Sequence, residues 1–339
     1  MSREPGSQDN RGLSVQRVLL AAPRGFCAGV DRAIDIVRLA LELYEEPIYV
    51  RKEIVHNVHV VRELRDRGAI FIDSLDEVPE GARVIFSAHG VSPAVRQKAA
   101  AKSLRVIDAT CPLVTKVHLE AIRFAKSGRW IILVGHAGHD EVDGTLGQVP
   151  GRIFLVGTAE EAEQLQVPDP SQVAVITQTT LSLDDTRETI EVLKRRFPQA
   201  VFPAHDDICY ATQNRQNAVK KLVDDVDLVL VIGSRNSSNS NRLREVSEAA
   251  GVKAYLIDDV SRIDPAWFDG VRSVGITAGA SAPEELVQEV AAYFSQNGRI
   301  EVSIMDGIHE DVTFALPAEL ARDLPKDRQV IHKRVPTGS

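Results

Sequence analysis

Three cysteines, at 27, 111 and 209, are the chain's full complement of this residue type, and all three occupy the same kind of place. Each follows an apolar run (18–22, 106–107 and 201–202) and precedes an amphipathic pattern, in Gly-Phe-Cys27-Ala-Gly-Val, Asp-Ala-Thr-Cys111-Pro-Leu-Val and Asp-Asp-Ile-Cys209-Tyr-Ala-Thr. The recurrence predicts three α/β units. A helix N-terminus stabilises negative charge, so all three positions are expected to favour the thiolate, the metal-binding form. Structural zinc sites bring local Cys-x-x-Cys pairs, and none occurs here. Three thiolates suit a 4Fe-4S cluster in which one iron lacks a protein ligand, open to substrate and able to act as Lewis acid and electron source. Spacing alone equally permits a structural cluster or three unrelated buried thiols.

A second set of residues suits an anion. His56 follows Arg-Lys-Glu-Ile-Val, His89 lies in Ser-Ala-His-Gly, and His139 in Gly-His-Asp140-Glu141. These rings, with Ser237, Asn239 and Ser281 at predicted helix starts, can donate hydrogen bonds to a phosphate. The plainer reading of the Ser-Asn run is a solvated turn that caps a helix. Neither a Gly-x-x-x-x-Gly-Lys-Ser/Thr loop nor a Gly-x-Gly-x-x-Gly fingerprint is present, which argues against an ordinary nucleotide site. Glu141, in a glycine-rich loop beside a metal cavity, would be desolvated and tuned toward proton delivery. The Thr179 hydroxyl could pass or orient that proton.

These residues need a scaffold that brings distant loops together. Short β-branched runs at 84–86, 130–134, 153–156, 173–176, 228–232, 254–257 and 271–276 alternate with helical patterns, as in buried parallel sheets. Val30, Ala33, Ile34, Val37 and Leu41 share a helix face after Cys27, and Val114, Val117, Ala121 and Phe124 repeat it after Cys111. Ala218, Val219 and Leu222 give a partial stripe after Cys209, and further helices are expected at 93–102, 183–196, 241–250 and 283–294. In open parallel sheets ligands bind beyond the carboxyl ends of strands, where this sequence places its small and polar residues. The expected units are 17–111, 112–208 and 209–297, with tails at 1–16 and 311–339.

Bulk properties exclude some classes. A net charge of −8 argues against nucleic-acid or anionic-lipid surfaces as partners. No apolar stretch approaches the roughly 18 residues of a membrane span. The polar segment 1–16 is unlike a secretory signal, and sparse cysteine usage fits a reducing compartment, so a cytoplasmic location is expected.

The motifs resemble those of the 4-hydroxy-3-methylbut-2-enyl diphosphate reductases, the terminal enzymes of the methylerythritol phosphate route to isoprenoids. They are GFCAGV at 25–30, EIVHN at 53–57, FSAHGVS at 86–92, DATCPLVTKVH at 108–118, TQTTLS at 177–182, DDICYAT at 206–212, NSSNSNRL at 236–243 and TAGASAPEE at 277–285. The resemblance implies three similar α/β units with small parallel sheets, in a pseudo-threefold, trefoil-like arrangement around an iron–sulfur cluster held by Cys27, Cys111 and Cys209. It also implies that His56, His89, His139, Ser237, Ser238, Asn239 and Ser281 line a diphosphate pocket, with Glu141 and Thr179 near the substrate hydroxyl. By the same resemblance, a strand from about 298–310 returns to complete the first unit.

The implied reaction is reductive dehydroxylation of an allylic diphosphate to isopentenyl and dimethylallyl diphosphate, with reduced ferredoxin or flavodoxin as electron donor. Asp140 departs from the family, whose members commonly have proline there, which bears on the rigidity and charge of that loop. Two competing readings are a non-enzymatic iron–sulfur redox sensor and a zinc hydrolase with Glu141 as base.

Overall fold

A computed structural model describes residues 14–203, 207–296 and 300–325. The chain begins with β1 (Arg17–Leu20), α1 (Ala28–Leu43), β2 (Ile48–Arg51), α2 (Val58–Asp66), β3 (Ile70–Ile72), β4 (Arg83–Phe86), α3 (Pro93–Ala101) and β5 (Arg105–Asp108). It continues through α4 (Pro112–Lys126), β6 (Trp130–Val134), α5 (Asp140–Leu146), β7 (Ile153–Val156), α6 (Ala159–Gln164), β8 (Val173–Thr177) and α7 (Leu183–Arg196). The remainder is α8 (Tyr210–Leu222), β9 (Leu228–Ile232), α9 (Ser238–Ala249), β10 (Lys253–Ile257), β11 (Ser273–Ala278), α10 (Glu284–Gln296), β12 (Glu301–Ile304) and α11 (Ala318–Ala321).

The strands form three parallel sheets, in the orders β3-β2-β4-β5, β7-β6-β8 and β10-β9-β11-β1-β12. Helices cover both faces of each, which is why β8 and β9 are buried along their whole length and read as continuous apolar runs. The α/β class with three small parallel sheets in a trefoil-like arrangement is as expected from the sequence.

Each cysteine stands where the chain leaves one sheet to cover the next. Cys27 follows β1, yet α1 packs Ala33, Ile34 and Val37 against Ile48, Val50 and Ile85 of the second sheet in chain order of helices, β2 to β5. Cys111 follows β5, and α4 packs Val117 and Ala121 on Ile131, Leu133 and Ile176 of β6 and β8. Cys209 follows α7 and the bridge residue Val201 beside β8, and α8 packs Ala218, Val219 and Leu222 on Val229 and Val231 of β9. A unit therefore starts at its cysteine and helix.

That rule corrects the expected boundary of the first unit. β1 does not belong with β2 to β5; it lies between β11 and β12, with Val18 opposite both Val274 and Val302. The strand from 301–304 does return to the N-terminal segment, but both complete the sheet of the third unit. Being a strand that precedes a cysteine, β1 belongs to the unit before that cysteine, which around the ring is the last one.

Other differences have local causes. β2 and β3 were not anticipated, since three or four residues are too few for an alternating pattern to stand out. The run at 201–202 makes only an isolated bridge, Val201 to Ala174. The expected tail 311–339 is structured at its start: Leu316, Leu320 and Leu324 are buried in the core of the β2–β5 sheet. Only Leu320 lies in the short helix α11, with Leu316 before it and Leu324 after it in irregular backbone, so no periodic pattern marks them in the sequence. Residues 1–13 and 326–339, most of both expected tails, lie outside the described residues.

Candidate active site

All twelve residues singled out from the sequence line one central cavity: the three cysteines, His56, His89, His139, Glu141, Thr179, Ser237, Ser238, Asn239 and Ser281. The parallel topology accounts for this, since each residue lies beyond the carboxyl end of a strand and the three sheets point those ends inward.

Cys27, Cys111 and Cys209 are the N-cap residues of α1, α4 and α8. The amide of each is donated to a neighbouring loop: Cys27 to the Ala280 carbonyl (3.2 Å), Cys111 to that of Ala88 (3.0 Å) and Cys209 to that of Thr179 (3.0 Å). The sulfurs of Cys27 and Cys111 cap no helix N–H, whereas Cys209 Sγ accepts from the Thr212 amide at 3.4 Å. A methyl placed on Gly29 would stand 2.7 Å from Cys111 Sγ and 3.9 Å from Cys27 Sγ, so glycine keeps open the space beside both sulfurs. Three free thiols around one cavity form a soft donor set that fits an iron–sulfur group.

The expectation that helix N-termini would make these thiols acidic is not met. Burial pushes Cys27 up despite the nearby Arg215 charge, and pushes Cys111 up to about 12 and Cys209 up to about 11, with the charge of Cys27 adding to both. Desolvation of a buried thiolate outweighs the first-turn N–H groups. Loss of these protons is thus coupled to metal binding rather than a prior property of the chain.

The Glu141 side chain is buried, and burial pushes its carboxyl up to about 7, against the opposing bonds from Thr179. Oε1 accepts from the Thr179 amide at 2.7 Å and Oε2 from the Thr179 hydroxyl at 3.0 Å. Glu141 is not in a loop, as expected, but in the first turn of α5, whose N-cap is His139. Asp140 opens that helix, where both proline and an acidic residue are favoured, so the departure from the family pattern keeps the turn intact.

Three imidazoles meet at the cavity wall. His56 and His89 stack with ring centroids 4.0 Å apart, and His139 stands edge-on to them at 5.3 and 5.8 Å. His139 Nδ1 accepts the Glu141 amide (3.2 Å), which leaves the neutral ring its Nε2–H. Burial lowers His139 to about 4 and holds His89 well below the usual histidine range. His56 Nδ1 donates to Glu53 at 3.1 Å, and Asn236 donates to the same carboxylate at 2.8 Å. Hydrogen bonding to His56, followed by that to Asn236 against the cost of burial, keeps Glu53 below the usual carboxylate range.

The donors on α9 and near α10 are fixed from behind. Ser237 caps α9 through the Ser240 amide (3.3 Å), Ser238 Oγ donates to the Thr180 carbonyl (3.2 Å), and Ser281 Oγ donates to the His56 carbonyl (2.9 Å). Asn239 differs: it is buried in the first turn, and neither its amide nitrogen nor its oxygen has a partner. An unsatisfied buried amide at a helix N-terminus that lines a cavity calls for a polar ligand.

Sequence reasoning overlooked Glu53 and Asn236, which orient His56, and Thr180, Tyr210, Thr212 and Phe314, which line the cavity. Glu53 stands three residues before His56 in a quoted motif, a signal present but unread. Phe314 had none, since only the folded C-terminal segment brings it there.

The sequence model of the family described as LytB protein matches residues 18–295. A 4-hydroxy-3-methylbut-2-enyl diphosphate reductase from Bordetella pertussis is 62% identical over 307 residues, 91% of this chain and 94% of the relative. One from Acidothermus cellulolyticus is 59% identical over 313 residues, 92% of each chain. The solved structure of the E-1-hydroxy-2-methyl-but-2-enyl-4-diphosphate reductase from Plasmodium falciparum superposes with a TM-score of 0.88 at 39% identity, covering 91% of this chain and 98% of that one. The chain belongs to the LytB family, that of the 4-hydroxy-3-methylbut-2-enyl diphosphate reductases.

Proposed function

We propose that the chain reduces 4-hydroxy-3-methylbut-2-enyl diphosphate to isopentenyl and dimethylallyl diphosphate, using a 4Fe-4S cluster held by Cys27, Cys111 and Cys209 with one iron lacking a protein ligand. The observation that carries this reading is the convergence of three N-cap cysteines and a buried, bidentately held carboxyl on one cavity. The relatives' names support the substrate class.

The overall change breaks one C–O bond, consumes two electrons and two protons, and releases water. When bound, the cluster supplies the electrons and a Lewis-acidic position for the substrate hydroxyl. Glu141, with its affinity for a proton raised to about 7, holds the proton that the leaving hydroxyl needs near neutral pH. Thr179 orients that carboxyl through its amide and hydroxyl. A second proton added at either end of the allylic fragment gives the two products.

Asn239, the Ser237 hydroxyl and the His139 Nε2–H form a donor cradle beside His56 and His89, which Ser238 and Ser281 join by turning their hydroxyls from the Thr180 and His56 carbonyls. The N-terminus of α9 favours the negative diphosphate. Binding energy from that end fixes the distance of the hydroxyl from Glu141, so it contributes to orientation as well as affinity. Reduced ferredoxin or flavodoxin serves as donor. Among the described residues no helix is long and apolar enough to cross a membrane. The sparse cysteine usage supports a reducing compartment, and we assign the chain to the cytoplasm on that ground.

The test is anaerobic reconstitution with iron and sulfide, metal and acid-labile sulfide analysis, and then an assay with substrate and a reduced one-electron donor. Both products should form. A loaded cluster without turnover would favour the sensor, and colourless zinc protein without sulfide would favour the hydrolase.

A further inference from the structure

Each helix that begins at a cysteine also carries a cation five or six residues later, and each cation reaches the segment just before the next cysteine around the ring. Arg32 on α1 donates through Nη1 to the carbonyls of Ala109 (3.3 Å) and Thr110 (3.1 Å), the two residues before Cys111. Lys116 on α4 pairs with Asp207, two residues before Cys209, at 3.2 Å. Arg215 on α8 donates to the carbonyls of Gly25 (2.7 Å) and Phe26 (3.1 Å), the two residues before Cys27. The pattern closes: unit one holds the ligand of unit two, two holds three, and three holds one.

These contacts are not ordinary surface ion pairs. Arg215 is 0% exposed and Arg32 8%, and the Asp207 carboxylate is fully buried, while Lys116 keeps about a third of its side chain in solvent. Burying a guanidinium costs several kcal/mol unless its donors are met, so such a group is weak evidence for stability in itself. Here the acceptors include main-chain carbonyls, whose position the side chain thereby fixes. Asp207 extends the same logic, accepting the Thr177 amide (3.0 Å) at the end of β8. The two arginines also grip the C-terminal segment, Arg32 at the Ala315 carbonyl (2.6 Å) and Arg215 at Glu310 (3.1 Å).

We infer that Arg32, Lys116 and Arg215 are positioning residues for the three sulfurs, a cycle in which each unit presets the approach of the next unit's metal ligand. The cations hold the turns before the cysteines in the geometry that a shared metal group needs, and two of them, Arg215 and Arg32, also place positive charge near the sulfurs of Cys27 and Cys111. This rests on the proposed cluster. It predicts a sequential dependence: loosening one cation weakens the cysteine that follows it around the ring, not the cysteine that begins its own helix.

The experiment measures iron release to a chelator from anaerobically loaded protein, with the cluster's electron paramagnetic resonance spectrum recorded alongside, for wild type, Arg215→Lys, Arg215→Gln, Arg32→Lys, Lys116→Met and Glu310→Gln. Outer partners of metal ligands are typically worth about 10- to 100-fold in metal affinity, so Arg215→Gln should release iron at least about tenfold faster, with an altered spectrum. Arg215→Lys should recover part of the loss, because an ammonium keeps the charge but not the planar fork. Glu310→Gln, which leaves the carbonyl contacts intact, should release iron within about twofold of wild type. Lys116→Met removes the least buried of the three cations but leaves the buried Asp207 carboxylate with the Thr177 amide as support. It should perturb the cluster; far-ultraviolet circular dichroism is read beside its release rate, and the variant counts only where the dichroism stays native.

Wild type that loads no cluster would overturn the proposed function itself. Wild type that loads, with folded Lys116→Met, Arg32→Lys and Arg215→Lys all matching it in release rate and spectrum, would overturn only the cycle. If Arg215→Gln does not fold, the two lysine variants and Lys116→Met decide the matter.

Discussion

The Glu141 carboxylate is clasped by both polar groups of Thr179, its amide at 2.7 Å and its hydroxyl at 3.0 Å. Thr179 in turn accepts the amide of Cys209 on its own carbonyl, so the proposed acid and one proposed metal ligand are set by a single residue between β8 and α8. Replacing Glu141 with Gln preserves shape and removes the proton. Turnover should fall by roughly 10²- to 10⁴-fold with cluster content unchanged, the usual span for a general acid. Steady-state kinetics beside iron analysis checks this, and unchanged kcat would remove Glu141 from the proton path.

The same burial has a pH signature in stability. The folded carboxyl binds its proton up to about pH 7, whereas the unfolded chain releases it near the ordinary glutamate value, about 4.3. Its contribution is therefore fully present below the unfolded value and is lost as pH rises through about 7. Between those limits the metal-free protein should lose on the order of 3 kcal/mol relative to Glu141→Gln. Denaturant midpoints of both proteins across that range give the difference, and parallel curves would contradict the burial argument.

Asn239→Ala separates binding from folding. Hydrogen bonds to charged groups contribute about 1.5–3 kcal/mol, so substrate KM should rise roughly 10- to 100-fold. Because both amide atoms lack partners, the unliganded protein should not be destabilised and should gain about 1 kcal/mol or so from losing an unsatisfied group. Calorimetry of the unliganded variant reads the sign; a lower Tm would mean the amide is already satisfied.

Gly29→Ala sets local and central demands against each other. Gly29 is the second residue of α1, in a first turn where alanine gains less than the roughly 1 kcal/mol of a helix interior. Its new methyl would stand 2.7 Å from Cys111 Sγ, so that sulfur must turn away. Metal-free stability should change little while reconstituted iron and sulfide fall. Full loading would show that the space beside the sulfurs is not used.

Leu320 tests the C-terminal segment. It is 0% exposed and packs into the core of the β2–β5 sheet. Leu320→Ala should cost roughly 2–5 kcal/mol, as expected for a cavity in a packed core. Chemical denaturation measures it, and a change under about 1 kcal/mol would mark the segment as peripheral.

The site was more legible than the path of the chain. Cys27 and Cys111 could be read because each sits at a strand-to-helix junction, which leaves a local trace of apolar run, small residue and amphipathic stripe. Cys209 carries a fainter form of it, the run before it making a single bridge. Where β1 pairs could not, since Val18 meets Val274 and Val302 across more than 250 residues and a short apolar strand fits many sheets equally well. The thiol protonation was misjudged for a related reason. A helix N-terminus is visible in sequence, but the burial that overrides it at Cys111 exists only in the folded chain. Glu141 was placed in a loop because the helix it opens is only seven residues long and rich in polar side chains.

The insertion of β1 between β11 and β12 also governs when the centre becomes complete during synthesis. The turn bearing Cys27 emerges from the ribosome first, yet its strand has no neighbours until residues 273–278 and 301–304 have been made. Two sheets can form on a growing polypeptide, while the third must wait until residue 304 has been made. On the proposed reading, uptake of iron and sulfide would follow that point, and a product cut short before residue 301 would keep all three cysteines without a settled place for the first.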